Sequence, residues 1–308
     1  MIFLLSKNLY QDFSVLENNN IKYSIDMLRA RTRISREFFE LKIASRLPVL
    51  CDFEYWTSSR INDFRENYRV IVSEEISFWF GFISNNEFYK GSNSKDNAKT
   101  KFNFTIEFNP NKVGDNKFLI YLFGLLYDSS VKQKIDWSIV SCDFACDIET
   151  NILNIGGINK GSKRCLLTFD NGGDNKTYYI GKGSNRVKIY NKRIESNLED
   201  IDLTRIELTH CFKELSINDL IKTNNIKLAF PDLYYKEYQI YIEDLDLNST
   251  FKAVLYAVNC GFPISDLSKY YKNKLMQYEN EKEPIKLDSN SCLVSLKNTI
   301  SHYFSLFL

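Results

Sequence analysis

Apolar and polar residues alternate along several segments of the chain, which is the pattern of half-buried β-strands. The alternation predicts strands at residues 21–33, 70–72, 77–84, 101–109, 137–149, 164–169, 176–181, 186–191 and 202–212. Phe38, Leu41 and Ala44 recur at helical spacing instead, so a helix is predicted from about Ser35, and a second apolar helix is predicted at 115–127. Strands with inserted helices indicate an α+β protein with a mixed or antiparallel sheet rather than a doubly wound parallel one.

The pattern changes after residue 215, where helical spacing replaces alternation. Ser216 and Asp219 are spaced like a capping box, and Gly261 stands where it would end a helix at 250–260. A further helix is predicted from Ser265 to residue 283, and an apolar stripe predicts a last one, formed by Leu293, Leu296, Ile300, Tyr303 and Phe307. We therefore predict an α+β core at residues 1–215 and a mainly helical region at 216–308.

Composition narrows the class of protein. A chain of 308 residues with 44% apolar residues is globular rather than disordered. Its net charge of +1 creates no strong overall field, so any contact with nucleic acid must come from a local patch. The seven cysteines are scattered and favour a reducing compartment without a zinc site. The longest apolar stretch, 118–127, is about half a membrane span, so we expect a soluble, cytoplasmic protein with no membrane partner.

Three of the predicted strands carry carboxylates on the face opposite their apolar residues. These carboxylates are Glu107 in 104–109, Asp143, Asp147 and Glu149 in 142–149, and Glu207 in 205–209. Acids that converge on one sheet surface supply the oxygen ligands that Mg²⁺ or Mn²⁺ prefers. The alternative is a set of solvated strand faces, because alternation alone produces polar faces.

The segment 176–193 holds six basic residues, no acid and three tyrosines. Basic charge interleaved with aromatic rings suits the backbone and stacked bases of a single strand of nucleic acid. In an extended run, Tyr190 shares a face with Arg186 and Lys188, which makes it a candidate nucleophile for DNA nicking. The basic residues predicted to contact DNA are Lys182, Arg186, Lys188, Lys192 and Arg205.

Six motifs, in order, resemble those of the trans-acting replication initiators of staphylococcal-type rolling-circle plasmids. They are Ile-Glu-Phe-Asn-Pro-Asn-Lys at 106–112, Cys-Asp-Phe-Ala-Cys-Asp-Ile-Glu at 142–149, Tyr-Tyr-Ile-Gly at 178–181, Ser-Asn-Arg at 184–186, Ile-Tyr-Asn-Lys at 189–192 and Arg-Ile-Glu-Leu at 205–208. The ordered set is more specific than any one motif. It covers about residues 100–212 and has no counterpart beyond about 215.

The resemblance implies a fold and a chemistry. Tyr190 inherits the nucleophile that nicks the origin strand, leaving a 5′-phosphotyrosine and a 3′-hydroxyl primer. Asp143, Asp147 and Glu207 inherit the neighbourhood of the Mg²⁺ or Mn²⁺ ion, beside Glu107. The implied partners are origin DNA, double-stranded and single-stranded at the nick, a second copy of the chain and a host helicase. The resemblance also implies a bacterial plasmid or integrative element, and it leaves residues 216–308 as a candidate region for origin recognition or dimer contacts.

The chain departs from this family at one position and from other nickases at several. Ser141 and Cys142 precede Asp143 where the family has an arginine, so a phosphate-binding arginine is missing there. The two histidines, His210 and His302, are too far apart for a His-hydrophobic-His metal clamp, and a P-loop is absent from the sequence. Because the pKa of free tyrosine is about 10, we expect Lys188, Lys192 and a metal ion to lower that of Tyr190. The alternative is a DNA-binding or regulatory relative that kept the fold and lost cleavage.

Overall fold

A computed structural model describes most of the chain. The described residues are 11–56, 66–71, 73, 77–82, 104–127, 136–157, 165–170, 175–181, 186–196, 201–235, 248–259, 262, 266–278 and 284–308. Three predicted features lie outside them: the DNA contact of Lys182, the helix stop at Gly261 and the helix start at Ser265.

Eleven strands of the described residues form one antiparallel sheet, in the order β3-β4-β5-β6-β2-β7-β12-β11-β10-β9, with β1 paired to β2. The strands are β1 (Leu16–Asn18), β2 (Ile21–Thr32), β3 (Asp52–Trp56), β4 (Glu66–Ile71), β5 (Ser77–Phe82), β6 (Phe104–Phe108), β7 (Ser138–Ile148), β8 (Ile155–Gly156), β9 (Cys165–Asp170), β10 (Lys176–Ile180), β11 (Val187–Asn191), β12 (Thr204–Ser216), β13 (Leu233–Tyr235) and β14 (Pro284–Ile285). A second, small sheet has the order β14-β13-β8. The α+β class and the antiparallel sheet are therefore confirmed.

The helices of the described residues lie between and after the strands. They are α1 (Arg36–Phe39) continued by a π-helix (Glu40–Ala44), α2 (Leu47–Leu50), α3 (Pro110–Val113), α4 (Lys117–Leu126), a 3₁₀ turn (Ile152–Asn154), α5 (Lys192–Glu195), α6 (Ile217–Lys222), α7 (Ser249–Asn259), α8 (Lys269–Tyr278), α9 (Ser289–Phe304) and a 3₁₀ turn (Ser305–Phe307). The predicted cap of α6 is confirmed, because the Ser216 hydroxyl accepts a hydrogen bond from the Asp219 backbone N–H at 3.1 Å.

One face of the large sheet is apolar and carries the core. Phe104, Ile106, Phe144, Ile189 and Ile206 are all fully buried there, as strict alternation on their strands predicts. Helices α4 and α9 contribute to the same core through a cluster of aromatic rings. In that cluster, Phe123 contacts the rings of Trp137, Tyr303 and Phe304, and Trp137 also contacts Phe304. The centroids of these ring pairs are 4.7 to 6.4 Å apart, which is the usual range for aromatic contacts.

Helix α9 joins the C-terminal end of the chain to the sheet. Its N-cap Asp288 accepts from two backbone N–H groups of the first turn, and the Asp288 N–H donates to the Tyr23 hydroxyl on β2 at 3.0 Å. The Tyr303 hydroxyl donates to the Gly114 carbonyl at 2.8 Å. By contrast, α7 and α8 bury Phe251 and Leu275 in a small cluster of their own. The division into a core at 1–215 and a mainly helical region at 216–308 stays a prediction, and α9 shares the core of the sheet.

The described residues after β12 include segments that are not helical. Residues 223–232 are irregular, and β13 and β14 add two short strands to it. Among the residues that the structure describes, no helix combines the length and apolar character needed to cross a membrane.

Candidate active site

The other face of the sheet gathers the polar residues of five neighbouring strands, β2, β7, β12, β11 and β10. Directly paired residues on adjacent strands project from the same face. The register places Lys22, Asp147, Arg205 and Tyr190 in one row across β2, β7, β12 and β11. The next row contains Ala145, Glu207, Lys188 and Tyr179. The third pairs Asp143 with Thr209, whose N–H donates to the Arg186 carbonyl at 2.9 Å.

Asp147 and Arg205 of the first row form an ion triad with Asp26 of β2. Both oxygens of Asp147 accept from Arg205 at 2.7 Å, through Nε and Nη2, and Asp26 accepts from Nη1 at 2.7 Å. The side chains of Arg205 and Asp147 are 1% and 0% exposed. Burial opposes ionisation of Asp26, but Arg205 and Lys192 outweigh it and hold the pKa of Asp26 below its ordinary value.

Asp26 is a member of the triad that sequence analysis missed. The pairing of β2 with β7 skips it, because Ile25 pairs with Phe144 and Met27 with Asp143. This irregularity is a β-bulge, which commonly redirects a side chain. Asn109 supports the carboxylate, since its amide donates to Asp26 Oδ1 at 3.2 Å. The only sequence signal was the alternation of Lys22, Ser24 and Asp26 with apolar residues.

Tyr190 lies beside the triad and is nearly buried, with 4% of its surface exposed. Its hydroxyl donates a long hydrogen bond of 3.4 Å to Glu207 Oε2. The Lys188 ammonium lies 3.8 Å from the centre of the Tyr190 ring and the Lys192 ammonium lies 5.9 Å from it. The predicted cations are therefore close. Burial nevertheless raises the pKa of Tyr190 above its ordinary value and outweighs the opposing charge of Arg205, which corrects the expectation of a lowered pKa.

Asp143 and Glu207 form an acid pair on the same face, and both carboxyls are only partly exposed. Burial raises the pKa of Glu207 to about 7; the charges of Asp26 and Asp143 add to the rise and Lys188 opposes it. Burial also raises the pKa of Asp143, against a hydrogen bond from Thr209. Glu207 can therefore change its protonation state near neutral pH.

The four carboxylates predicted for a metal ion do not form one ligand group. Asp147 is committed to Arg205 by both oxygens, and Glu107 is ion-paired with Arg29. The described residues contain no group of three or more histidine, cysteine, aspartate or glutamate side chains that could hold a metal. The acid pair of Asp143 and Glu207 supplies the two remaining predicted ligands, and the Mg²⁺ or Mn²⁺ site stays a prediction from sequence.

The basic residues predicted to contact DNA divide into two kinds. Arg186 is exposed and Lys188 is partly exposed on the open part of the face. Lys192 is 4% exposed and ion-paired with Glu195, and Arg205 is held in the triad. Neither can meet a DNA backbone unless those ion pairs open.

Three further features lie near the site. Arg29, which sequence analysis did not single out as a site residue, pairs in register with Ser141, close to where the resembled family has its arginine. A cavity of about 970 Å³ borders Lys22, Asp147, Glu149 and Tyr235, at the far end of the row from Tyr190. His210 pairs with Cys142, on the apolar side, and burial lowers its pKa.

Comparison with known proteins gives distant structural likenesses and no match in sequence. No protein-family model matches the chain, and no curated protein was found to match it. Among solved structures, the chain is similar to the rolling circle replication initiator protein from Geobacillus stearothermophilus, at 12% sequence identity and a TM-score of 0.35. The similarity covers 84% of this chain and 97% of that chain. A likeness at this TM-score carries no weight for function, which must be inferred from the residues of the site.

Proposed function

We propose that the protein is a tyrosine-dependent DNA nicking and closing enzyme that initiates rolling-circle replication. The observation that carries the proposal is the hydrogen bond from the Tyr190 hydroxyl to Glu207, a carboxyl whose pKa is raised to about 7 by burial. A nucleophile next to a base with a pKa near the working pH is the arrangement that covalent catalysis requires. The ordered motifs from 106 to 208 support the same function.

The proposed reaction is a transesterification at one phosphodiester of the origin strand. Tyr190 Oη attacks the phosphorus, its proton passes to Glu207, and the bond from phosphorus to the 3′-oxygen breaks. The 3′-oxygen takes up a proton and leaves as a hydroxyl, while the 5′-phosphate stays esterified to the tyrosine. Because one phosphoester replaces another, attack by a 3′-hydroxyl can reverse the step without ATP.

Glu207 is needed because the other groups do not make Tyr190 acidic. The pKa of Tyr190 lies above its ordinary value, so little phenolate exists at neutral pH. Arg205 and Lys188 stabilise negative charge on the phenolate as the proton leaves. General bases of this kind accelerate reactions by about 10² to 10⁴. A hydrogen bond of 3.4 Å is long, as is common before substrate binds.

A non-catalytic DNA-binding or regulatory protein is the second candidate. The observation that favours it is the burial of Tyr190, which is only 4% exposed and has a raised pKa. DNA would reach the hydroxyl only after neighbouring side chains move. Formation of a covalent protein–DNA adduct, with or without a metal ion, separates the two candidates, because only the nicking enzyme would form one.

The partners follow from the same proposal. Origin DNA is the substrate, double-stranded at the recognition site and single-stranded at the nick. A homodimer and a host helicase are proposed from the resemblance of the motifs. A divalent ion is proposed on the same ground, with Asp143 and Glu207 as the carboxylates that would hold it.

The test is covalent trapping. Purified protein is incubated with a supercoiled plasmid that carries its own gene and flanking DNA, in parallel with Mn²⁺ and with EDTA. Protein-linked DNA is then measured on denaturing gels. We expect an adduct from the wild type and none from Tyr190→Phe, which keeps the ring and removes the attacking oxygen.

Two controls make the assay decisive. A known tyrosine initiator with its own origin plasmid shows that the conditions support cleavage. Tyr178→Phe, on the neighbouring strand β10 but on the opposite face, where Tyr178 pairs with Ile189, shows whether loss of any hydroxyl reduces adducts. An adduct formed by Tyr190→Phe would remove Tyr190 from its role, and specific binding without any adduct would favour the regulatory protein.

A further inference from the structure

Tyr179 and Arg186 lie together on the part of the polar face next to Tyr190. Tyr179 pairs with Lys188, which pairs with Glu207, so the three side chains share one row. The Arg186 guanidinium carbon is 5.2 Å from the centre of the Tyr179 ring, a cation–π distance. Arg186 also acts on the acid pair, since its charge opposes the rise in the pKa of Asp143.

Exposure separates these two residues from the rest of the face. Arg186 is exposed and Tyr179 is partly exposed, whereas Tyr190 is nearly buried. The preceding residue, Tyr178, points to the opposite face and packs against the core. The ring at 178 is thus explained by packing. The ring at 179 lies instead beside exposed cations, within one row of the proposed nucleophile.

An aromatic ring with a neighbouring guanidinium offers flat surfaces to a nucleobase. Such rings bind single-stranded DNA by stacking, with little dependence on sequence, while nearby cations hold the phosphates. A base inside a duplex is already stacked on its neighbours and cannot use this surface. The chemistry of Tyr179, Arg186 and Lys188 therefore selects an unpaired strand.

We propose that Tyr179 and Arg186 form a stacking platform that holds an unpaired base next to the phosphate attacked by Tyr190. The platform rests on the proposed nicking function and adds to it how the substrate strand is positioned. Lys188, between the platform and Glu207, would meet the phosphate of the held nucleotide. Tyr179 is a positioning residue rather than a catalytic one, because it acts through the strand that it holds.

Binding is tested apart from cleavage. All variants are made in the Tyr190→Phe chain, and the probe is a fluorescein-labelled oligothymidylate of twelve nucleotides, measured by fluorescence anisotropy. We expect Tyr179→Leu to weaken binding about tenfold, or about 1.4 kcal/mol. Tyr179→Phe keeps the ring and should bind within about twofold of its parent. Arg186→Gln should weaken binding more than Arg186→Lys, which keeps the charge.

A matched control removes the neighbouring ring. Tyr178→Leu deletes a tyrosine from the same strand but from the opposite face, and it should retain affinity for the oligothymidylate at a temperature below its measured thermal midpoint. Loss of affinity in Tyr178→Leu equal to that in Tyr179→Leu would overturn the platform, because it would trace the effect to the strand rather than to the ring.

Cross-linking tests the contact without removing the ring. An oligothymidylate with one 5-iododeoxyuridine is irradiated with the Tyr190→Phe chain, and the linked peptide is sequenced by mass spectrometry. We expect the link at Tyr179. A link elsewhere, no binding of the oligonucleotide, or unchanged affinity in Tyr179→Leu would each overturn the platform. Failure of the nicking function shows separately, as absence of any Tyr190 adduct in the wild type.

Discussion

The polar face of the sheet has two halves that use the same kinds of residue differently. In one half, which we call the sealed half, Asp26 and Asp147 both form ion pairs with Arg205, and the side chains of Asp147 and Arg205 are buried. In the other half, the acid pair of Asp143 and Glu207 is partly exposed, and both of its pKa values are raised. Carboxyls on one sheet face thus differ in the direction of their pKa shifts, because the pKa of Asp26 is lowered and those of Asp143 and Glu207 are raised.

The difference shows that partner number and burial, rather than residue type, decide what a carboxylate does. Asp147 accepts a bidentate pair of hydrogen bonds from the Arg205 guanidinium, one on each oxygen, and its side chain is buried. Glu207 has one long hydrogen bond from a phenol and unfavourable charges nearby. The sealed half stabilises the structure, and the open half is suited to proton transfer.

Removal of one carboxylate disrupts the ion triad of the sealed half. Asp147→Ala leaves Arg205 buried and bound only by Asp26, and loss of one partner from a buried ion pair typically costs about 3 to 5 kcal/mol. We expect the free energy of unfolding in urea to fall by that amount. Glu149→Ala, which removes an exposed carboxylate that pairs with Lys22, should change it by about 0 to 1 kcal/mol. Equal effects of the two substitutions would show that the triad is not a stabilising unit.

The open half can be tested through the reaction. Glu207→Gln keeps the size of the side chain but cannot accept the Tyr190 proton, so adduct formation should slow about 100-fold. The remaining rate should lose the dependence on pH near 7 that the wild type shows. The rate of adduct formation is measured from pH 5.5 to 9 by quenching the reaction at set times, and Tyr190→Phe serves as the inactive control. A wild-type profile with no inflection near 7 would count against Glu207 as the base.

Glu207→Gln should also change the free energy of unfolding, by an amount that depends on pH. Because burial raises the pKa of Glu207 to about 7, its ionisation is less favourable in the folded chain than in the unfolded one. Its contribution to stability is full at low pH and is lost as the pH rises through 7. Glu207→Gln removes this loss, so the variant should be more stable than the wild type by about 1 to 3 kcal/mol at pH 8.

Thermal or urea unfolding of both chains at pH 5 and pH 8 measures that difference. The gain of the glutamine variant should shrink towards pH 5, because Glu207 is then largely protonated in the folded wild type. A gain that is the same at both values would indicate an effect of packing and not of charge.

The smallest predicted effect concerns Lys188, which pairs in register with Glu207. Lys188 opposes the rise in the pKa of Glu207, so Lys188→Met should move the midpoint of the pH–rate profile to higher pH. Lys176→Met, on the neighbouring strand, should leave the midpoint in place. A midpoint unchanged in both variants would show that Lys188 does not act on Glu207.

The strands were predictable because local alternation has a direct physical cause. Burial of Phe144, Ile189 and Ile206 follows from the side of the strand on which they stand, and this is set by the sequence of each segment alone. Strand β3 was missed and β4 was truncated, although Phe53 and Tyr55 in β3 and Tyr68 and Val70 in β4 alternate with polar residues.

By itself, the sequence determined the alternation along the strands and the N-cap of α6. It also placed Tyr190, Glu207 and Asp143 on the polar faces of their strands. Only the tertiary structure decided which charges meet. The bulge at Asp26 and the register of β7 with β12 close the triad around Arg205, and they withdraw Asp147 and Arg205 from any ligand. Pairing between distant strands and the burial that it produces set the pKa of each group, and neither is encoded in the local order of residues.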